Sequence, residues 1–131
     1  MTEPTTTDRR GYPRVPARFP IRLVGEDGAE LSVRTLDIAP RGIKLQCDTT
    51  TAYGLSRRVG PIEPDESPEL RIEFDLPLAS RSVHVATQCR MIYLYILPED
   101  DTATIGMEFV GLPDDAHSAL AQFMEEAISP P

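Results

Sequence analysis

Apolar and polar positions alternate along most of the chain, starting at Phe19. Phe19, Ile21 and Leu23 fall on one side and Arg18 and Arg22 on the other, the period-2 signature of a strand with one buried face. The stretch GEDG at 25–28 signals a turn, and Leu31, Val33 and Thr35 continue as a second strand. Ile43, Leu45 and Cys47 then alternate with Lys44, Gln46 and Asp48. The cleanest case is ELRIEFDL at 69–76, with Leu70, Ile72, Phe74 and Leu76 inward and four charged residues outward. Val83, Val85, Thr87, Cys89 and Met91 lead into IYLYIL at 92–97, which is apolar on both sides and therefore expected to be covered on both. PEDD at 98–101 predicts a turn and ATIGMEFV at 103–110 a last strand.

After Pro113 the period changes. Leu120, Phe123 and Met124 are spaced i, i+3, i+4, and Asp114 or Asp115 is placed to cap a short amphipathic helix. Six or so antiparallel strands followed by a helix predict an all-β fold, a small barrel or sandwich, with the helix plugging an open end or covering an edge. The doubly apolar strand 91–97 is its expected partner. The stretch from Thr49 to Ser67, broken by Gly54, Gly60, Pro61 and Pro64, is expected to be a long loop. The segment RRGYPRVPARFP at 9–20 holds one glycine and three prolines, so it is an arm rather than a helix or central strand. Residues 1–8 are expected to be a flexible tail, 9–128 a single domain and 129–131 a short tail.

A length of 131 residues suits one core. No run approaches the ~18 apolar residues of a membrane span, so membrane insertion is not expected. The first ten residues lack the apolar centre of a signal peptide, which makes a cytoplasmic location the expectation. Cys47 and Cys89 lack CxxC spacing and are expected to be buried free thiols. The net charge of −8 argues against general nucleic-acid binding, and no nucleic-acid partner is expected.

The charge is unevenly distributed. Arg9, Arg10, Arg14, Arg18 and Arg22 lie between Asp8 and Glu26 with no acid among them, whereas 99–126 carries eight acids and no Lys or Arg. Arginines clustered on an acidic protein suit a small multidentate anion. Catalytic patterns are missing: His84 and His117 stand singly, no nucleophile or zinc motif surrounds them, and no phosphate-cradling glycine loop occurs. A non-enzymatic role without metal or cofactor is expected. Two features hold unspent chemistry. Arg10 and Arg14 can converge on one ligand from an extended arm. In TLDIAPRGIKL at 35–45, Asp37 is an acceptor suited to the paired N–H donors of a guanine edge, and Gly42 permits either a positive φ or close backbone approach.

The arm RGYPR (Arg10–Arg14) matches the RxxxR motif of PilZ domains, and DIAPRG (Asp37–Gly42) matches their [D/N]xSxxG motif with Ala39 in place of Ser. With the downstream order of RIEFDLP, a strand ending near Arg90, IGMEFVGL and a terminal helix, the chain resembles that family over roughly residues 9–125. The resemblance implies a six-stranded antiparallel PilZ-like β-barrel with a C-terminal α-helix, acting as a receptor for bacterial cyclic di-GMP. Arg10 and Arg14 would clamp phosphates and stack on guanine, with Arg9 assisting. Asp37 would hold a guanine edge, Gly42 would let the loop backbone approach, and Arg90 would face the site from a neighbouring strand. The hydroxyl missing at Ala39 would cost ~1 kcal/mol, against roughly 1.5–3 kcal/mol for each charge-assisted arginine contact. A single domain of this kind is expected to signal through a protein partner, in motility, pilus or polysaccharide control, as a monomer or homodimer. The alternative is a degenerate domain that binds a protein partner without nucleotide.

Overall fold

The computed structural model of the chain describes residues 6–7, 13–25, 28–55, 60–67 and 70–128. In chain order the elements are β1 (Thr6–Thr7), β2 (Pro13–Pro16), β3 (Pro20–Val24), β4 (Glu30–Ala39), β5 (Gly42–Asp48) and α1 (Thr49–Leu55). Then follow β6 (Gly60–Pro61), β7 (Leu70–Pro77), β8 (Ser82–Leu97), β9 (Thr102–Val110) and α2 (Asp114–Ile128). Strands β4, β3, β7, β8, β9 and β5 pair antiparallel in that order, and β5 returns to pair with β4. The six strands therefore close into a barrel, one of the two architectures that the alternation predicts and the one that the PilZ resemblance implies. Closure leaves these strands no open edge to aggregate.

The inward positions of each strand fill the barrel: Ile21 and Leu23, Ile43 and Leu45, Ile72 and Leu76, Ile105 and Met107 are all buried. Two hydroxyls share this interior, and both have acceptors. Thr35 donates to the Phe19 carbonyl at 2.7 Å and Thr87 to that of Val110 at 3.2 Å. No buried side-chain polar atom among the described residues lacks a partner.

Helix α2 presents Ala116, Ala119, Leu120 and Met124 as its buried stripe. It packs against β2, β7 and β8. Phe123 meets Phe19 edge-on with centroids 6.1 Å apart, and Phe19 in turn stacks on Phe74 at 5.3 Å. At the β7–β8 turn, the Ala79 N–H donates to Glu126 at 2.8 Å.

Three expectations are corrected. The stretch 49–67 is not a continuous loop, because α1 forms directly after β5. The Asp48 carboxylate accepts the Thr51 N–H at 2.7 Å, Asp101 accepts the Thr49 hydroxyl, and Ala52 anchors the helix in the core. The segment 92–97 is not covered on both sides, since Tyr95 and Leu97 stay about half exposed (49% and 54%). Its continuous apolarity instead reflects a register shift between Met91 and Tyr93. Of the two free thiols, Cys89 is buried but Cys47 only half-buried. Burial pushes the Cys47 thiol up to about 11, helped by Asp48, and the Cys89 thiol up to about 12, so neither is a reactive thiolate at neutral pH. In addition, Thr6 and Thr7, within the stretch expected to be a flexible tail, pair with Arg14 and Pro13.

Candidate functional site

Two β-bulges build the site. In β4, Val33 and Thr35 point inward, but the pairing jumps from Thr35↔Leu45 to Asp37↔Lys44, so Leu36 is an extra residue. The inward phase then passes to Ile38, and Asp37 turns outward. Without the bulge, strict alternation would drive the Asp37 carboxylate into the core. In β8 the pairing jumps from Met91↔Met107 to Tyr93↔Gly106, so Ile92 is the extra residue and Tyr93 turns outward while Leu94 becomes buried. Both bulges act at the same level of the barrel. Register then places Pro16, Asp37, Lys44, Gly106 and Tyr93 in one row across β2, β4, β5, β9 and β8. A neighbouring row holds Ala39, Gly42, Glu108 and Arg90.

Arg14 reaches this surface from β2. Its Nε donates to Asp37 Oδ1 at 2.7 Å, and Lys44 Nζ lies 3.5 Å from Asp37 Oδ2. Both partners of the first pair keep about a fifth of their side-chain surface exposed (22% and 20%), so the pair is sheltered but open to exchange. Arg90 is engaged elsewhere: its Nε and Nη2 each lie 2.8 Å from Glu108 Oε1. A pocket of about 200 Å³ opens beside these groups, lined by Arg14, Arg41, Gly42, Lys44, Tyr93 and Glu108. A larger groove of about 640 Å³ lies between β3, β4, β5 and the β8–β9 turn, but no described residue of the two motifs lines it. The smaller pocket is where the chemistry converges.

The connection between β4 and β5 is a two-residue turn, Pro40–Arg41, with Ala39 paired to Gly42. Gly42 is not among the positive-φ residues. What requires glycine here is proximity: a Cβ would overlap the Met107 carbonyl oxygen of β9. The Phe109 N–H also donates to the Arg41 carbonyl at 2.9 Å, so the turn is pinned to β9. Ala39 is buried, at 1% exposure.

Of the residues singled out in the sequence, Arg14, Asp37, Ala39 and Gly42 come together here, and Arg90 lies in the adjoining row. Arg9 and Arg10 lie outside the described residues. The sequence reading did not single out Lys44, Tyr93, Gly106 or Glu108 as site residues. Signals for two of them existed, since Lys44 is the sole lysine and Tyr93 stands where the alternation breaks. No group of three or more His, Cys, Asp or Glu among the described residues is arranged to hold a metal ion. No described helix is long and apolar enough to cross a membrane.

A family model described as the PilZ domain matches residues 8–126. The chain belongs to the PilZ domain family. Solved structures agree on the fold. The Bacillus subtilis inhibitor of motility MotI/DgrA aligns with a TM-score of 0.70 and 20% identity, over 91% of this chain and 51% of that one. The PilZ domain of Escherichia coli YcgR with c-di-GMP aligns at 0.61 and 14%, over 92% of both chains. The K. pneumonia MrkH–c-di-GMP complex aligns at 0.62 and 16%, over 94% of this chain and 53% of that one. This PilZ chain thus spans about half the length of MotI and MrkH. No curated protein matches it significantly by sequence. PilZ domains are generally non-catalytic, and no enzymatic family is indicated.

Proposed function

We propose that this PilZ domain is a non-enzymatic receptor for cyclic di-GMP, acting in the cytoplasm and passing its ligand state to a protein partner. The observation that carries this reading is the 2.7 Å pair between Arg14 and Asp37 at the mouth of a pocket flanked by Lys44. Phosphate and guanine need opposite chemistry: forked N–H donors for the anion, and an acceptor-only group for the guanine N–H edge. The two motifs supply one of each, and they are joined as a mutual ion pair. On binding, phosphate takes the Arg14 guanidinium and a guanine edge takes the Asp37 carboxylate. One sheltered pair is replaced by two charge-assisted sets, and Lys44 remains beside the carboxylate as a second cation. Arg9 and Arg10, five and four positions before Arg14, would add donors as the arm closes. Arg90 would contribute only after leaving Glu108. Two of the similar structures are described as holding c-di-GMP, and another is described as an inhibitor of motility, which makes motility control the first output to test.

Calorimetric titration of cyclic di-GMP into wild type and Arg14→Ala tests this directly. Wild type should bind, and Arg14→Ala should lose roughly 1.5–3 kcal/mol, at least ten-fold in affinity. No heat from wild type at tens of micromolar ligand would sink the receptor reading. A second reading, an interaction module that has dropped the nucleotide, draws on the absent hydroxyl at Ala39 and on the exposed Tyr95 and Leu97. Under it, wild type and Arg14→Ala would both give no heat.

A further inference from the structure

The outward turn of Tyr93 has no counterpart in either sequence motif, yet several independent features converge on it. The bulge at Ile92 places Tyr93 in the row that contains Asp37 and Lys44. Its register partner is Gly106, and a Cβ on Gly106 would overlap the Tyr93 ring. The ring therefore lies down on bare backbone, keeping a low profile where any other residue at 106 would lift it away. The next outward ring on β8, Tyr95, sits 5.2 Å from it at 34°, which buttresses its far side. Tyr93 lines the same pocket as Arg14, Lys44 and Glu108. Its phenol also feels the site. Burial raises its pKa, the charge of Arg14 opposes that shift, and Asp37 and Tyr95 reinforce it, so it stays protonated at neutral pH.

A cross-strand aromatic over glycine could serve the sheet alone. That role, however, would not call for a bulge that aims the ring at the ion pair, nor for a position lining a pocket edged by cations. We propose that Tyr93 contacts the ligand, its ring forming the aromatic wall on which a purine base of the cyclic dinucleotide stacks. Gly106 is the positioning residue that holds this ring low. The assignment rests on the receptor reading above and adds an aromatic stacking surface to the stacking that the arm arginines would offer.

The test is calorimetry with cyclic di-GMP on wild type and on variants that keep or remove the ring, with thermal unfolding as the check of folding. Tyr93→Phe should bind within about two-fold of wild type. Tyr93→Val, β-branched and at ease in a strand, should bind about ten-fold or more weakly, the scale of one base–aromatic stack. Tyr93→Leu repeats the ring removal with a longer side chain should the Val variant fail to fold. Gly106→Ala should weaken binding several-fold in the wild-type background and add little to Tyr93→Val, as expected if its effect passes through the ring. Ring-less variants that fold and bind like wild type would overturn the Tyr93 assignment while leaving the receptor reading intact. Equal losses from Gly106→Ala in both backgrounds would overturn the positioning role. If wild type itself does not bind, the receptor reading falls and this inference falls with it.

Discussion

Gly42 and Ala39 face each other at the end of the β4–β5 hairpin, and each constrains the site differently. Gly42 is held by space rather than by backbone conformation, since a side chain there would meet the Met107 carbonyl. Gly42→Ala should therefore push β5 from β9 at the pocket and destabilise the domain by about 1–3 kcal/mol, read by urea unfolding. A loss below about 0.5 kcal/mol would mean that the strands yield freely. Ala39 poses the opposite problem. It is buried, so a serine hydroxyl placed there must find a partner or be left unsatisfied. Ala39→Ser is expected to lower the stability of the empty protein by about 1 kcal/mol yet tighten cyclic di-GMP binding several-fold, because the ligand or reordered turn then supplies the partner. Unchanged or weaker affinity would show that the hydroxyl has no place in this pocket.

At the scale of elements, α1 depends on a titratable cap. Hydrogen bonds from Thr51 hold the Asp48 carboxyl below its ordinary value, the contact through the Thr51 side chain contributing most. A depressed folded-state pKa means the cap is complete above the ordinary carboxylate range and is lost as pH falls through the lowered value. Amide exchange at Thr51 and Ala52, corrected for the intrinsic pH dependence, should accelerate on acidification, and Asp48→Ala should show that acceleration already at neutral pH. Flat protection across the titration would remove the cap from the account of this helix. Sequence patterning missed α1 because three threonines, a glycine and a tyrosine carry little helical signal, and the deciding contacts come from Asp48 and from Asp101, fifty-two positions after Thr49. The barrel strands were legible because alternation records burial directly. The bulges were not, because an extra residue appears in sequence only as a lapse in alternation. In 92–97 that lapse reads as excess apolarity, whereas there and at Leu36 it is the device that turns Tyr93 and Asp37 outward. Arg14 and Asp37 could be named as partners of one ligand from their residue types. That they bond to each other follows only from the β2–β4 register, in which Pro16 lies opposite Asp37.

For the molecule as a whole, the question is how events at the pocket travel. Strand β2 is the natural link: Arg14 bonds to Asp37 on one side, Val15 pairs with Ile38 and is buried, and the same strand touches α2. Immediately after β2, Ala17 and Phe19 are buried, and Phe19 meets Phe123 of the helix. A ligand that draws Arg14 from Asp37 must therefore shift, or more firmly fix, a segment packed against α2. The acidic outer surface of α2, with Asp114, Asp115, Glu125 and Glu126 exposed, would then be the face whose position reports occupancy. Hydrogen exchange on the full chain tests this coupling. At a ligand concentration of about 100 times Kd, amides released only by openings that expel the ligand should exchange about 100-fold more slowly, the equivalent of ~2.7 kcal/mol. Added protection should extend beyond residues 13–16 into the buried stripe of α2 at 116–124, and Arg14→Ala should abolish it in both places. Protection confined to β2, β4 and β5 would mean that the pocket fills without informing the helix, and the output surface would then have to be sought on the barrel itself.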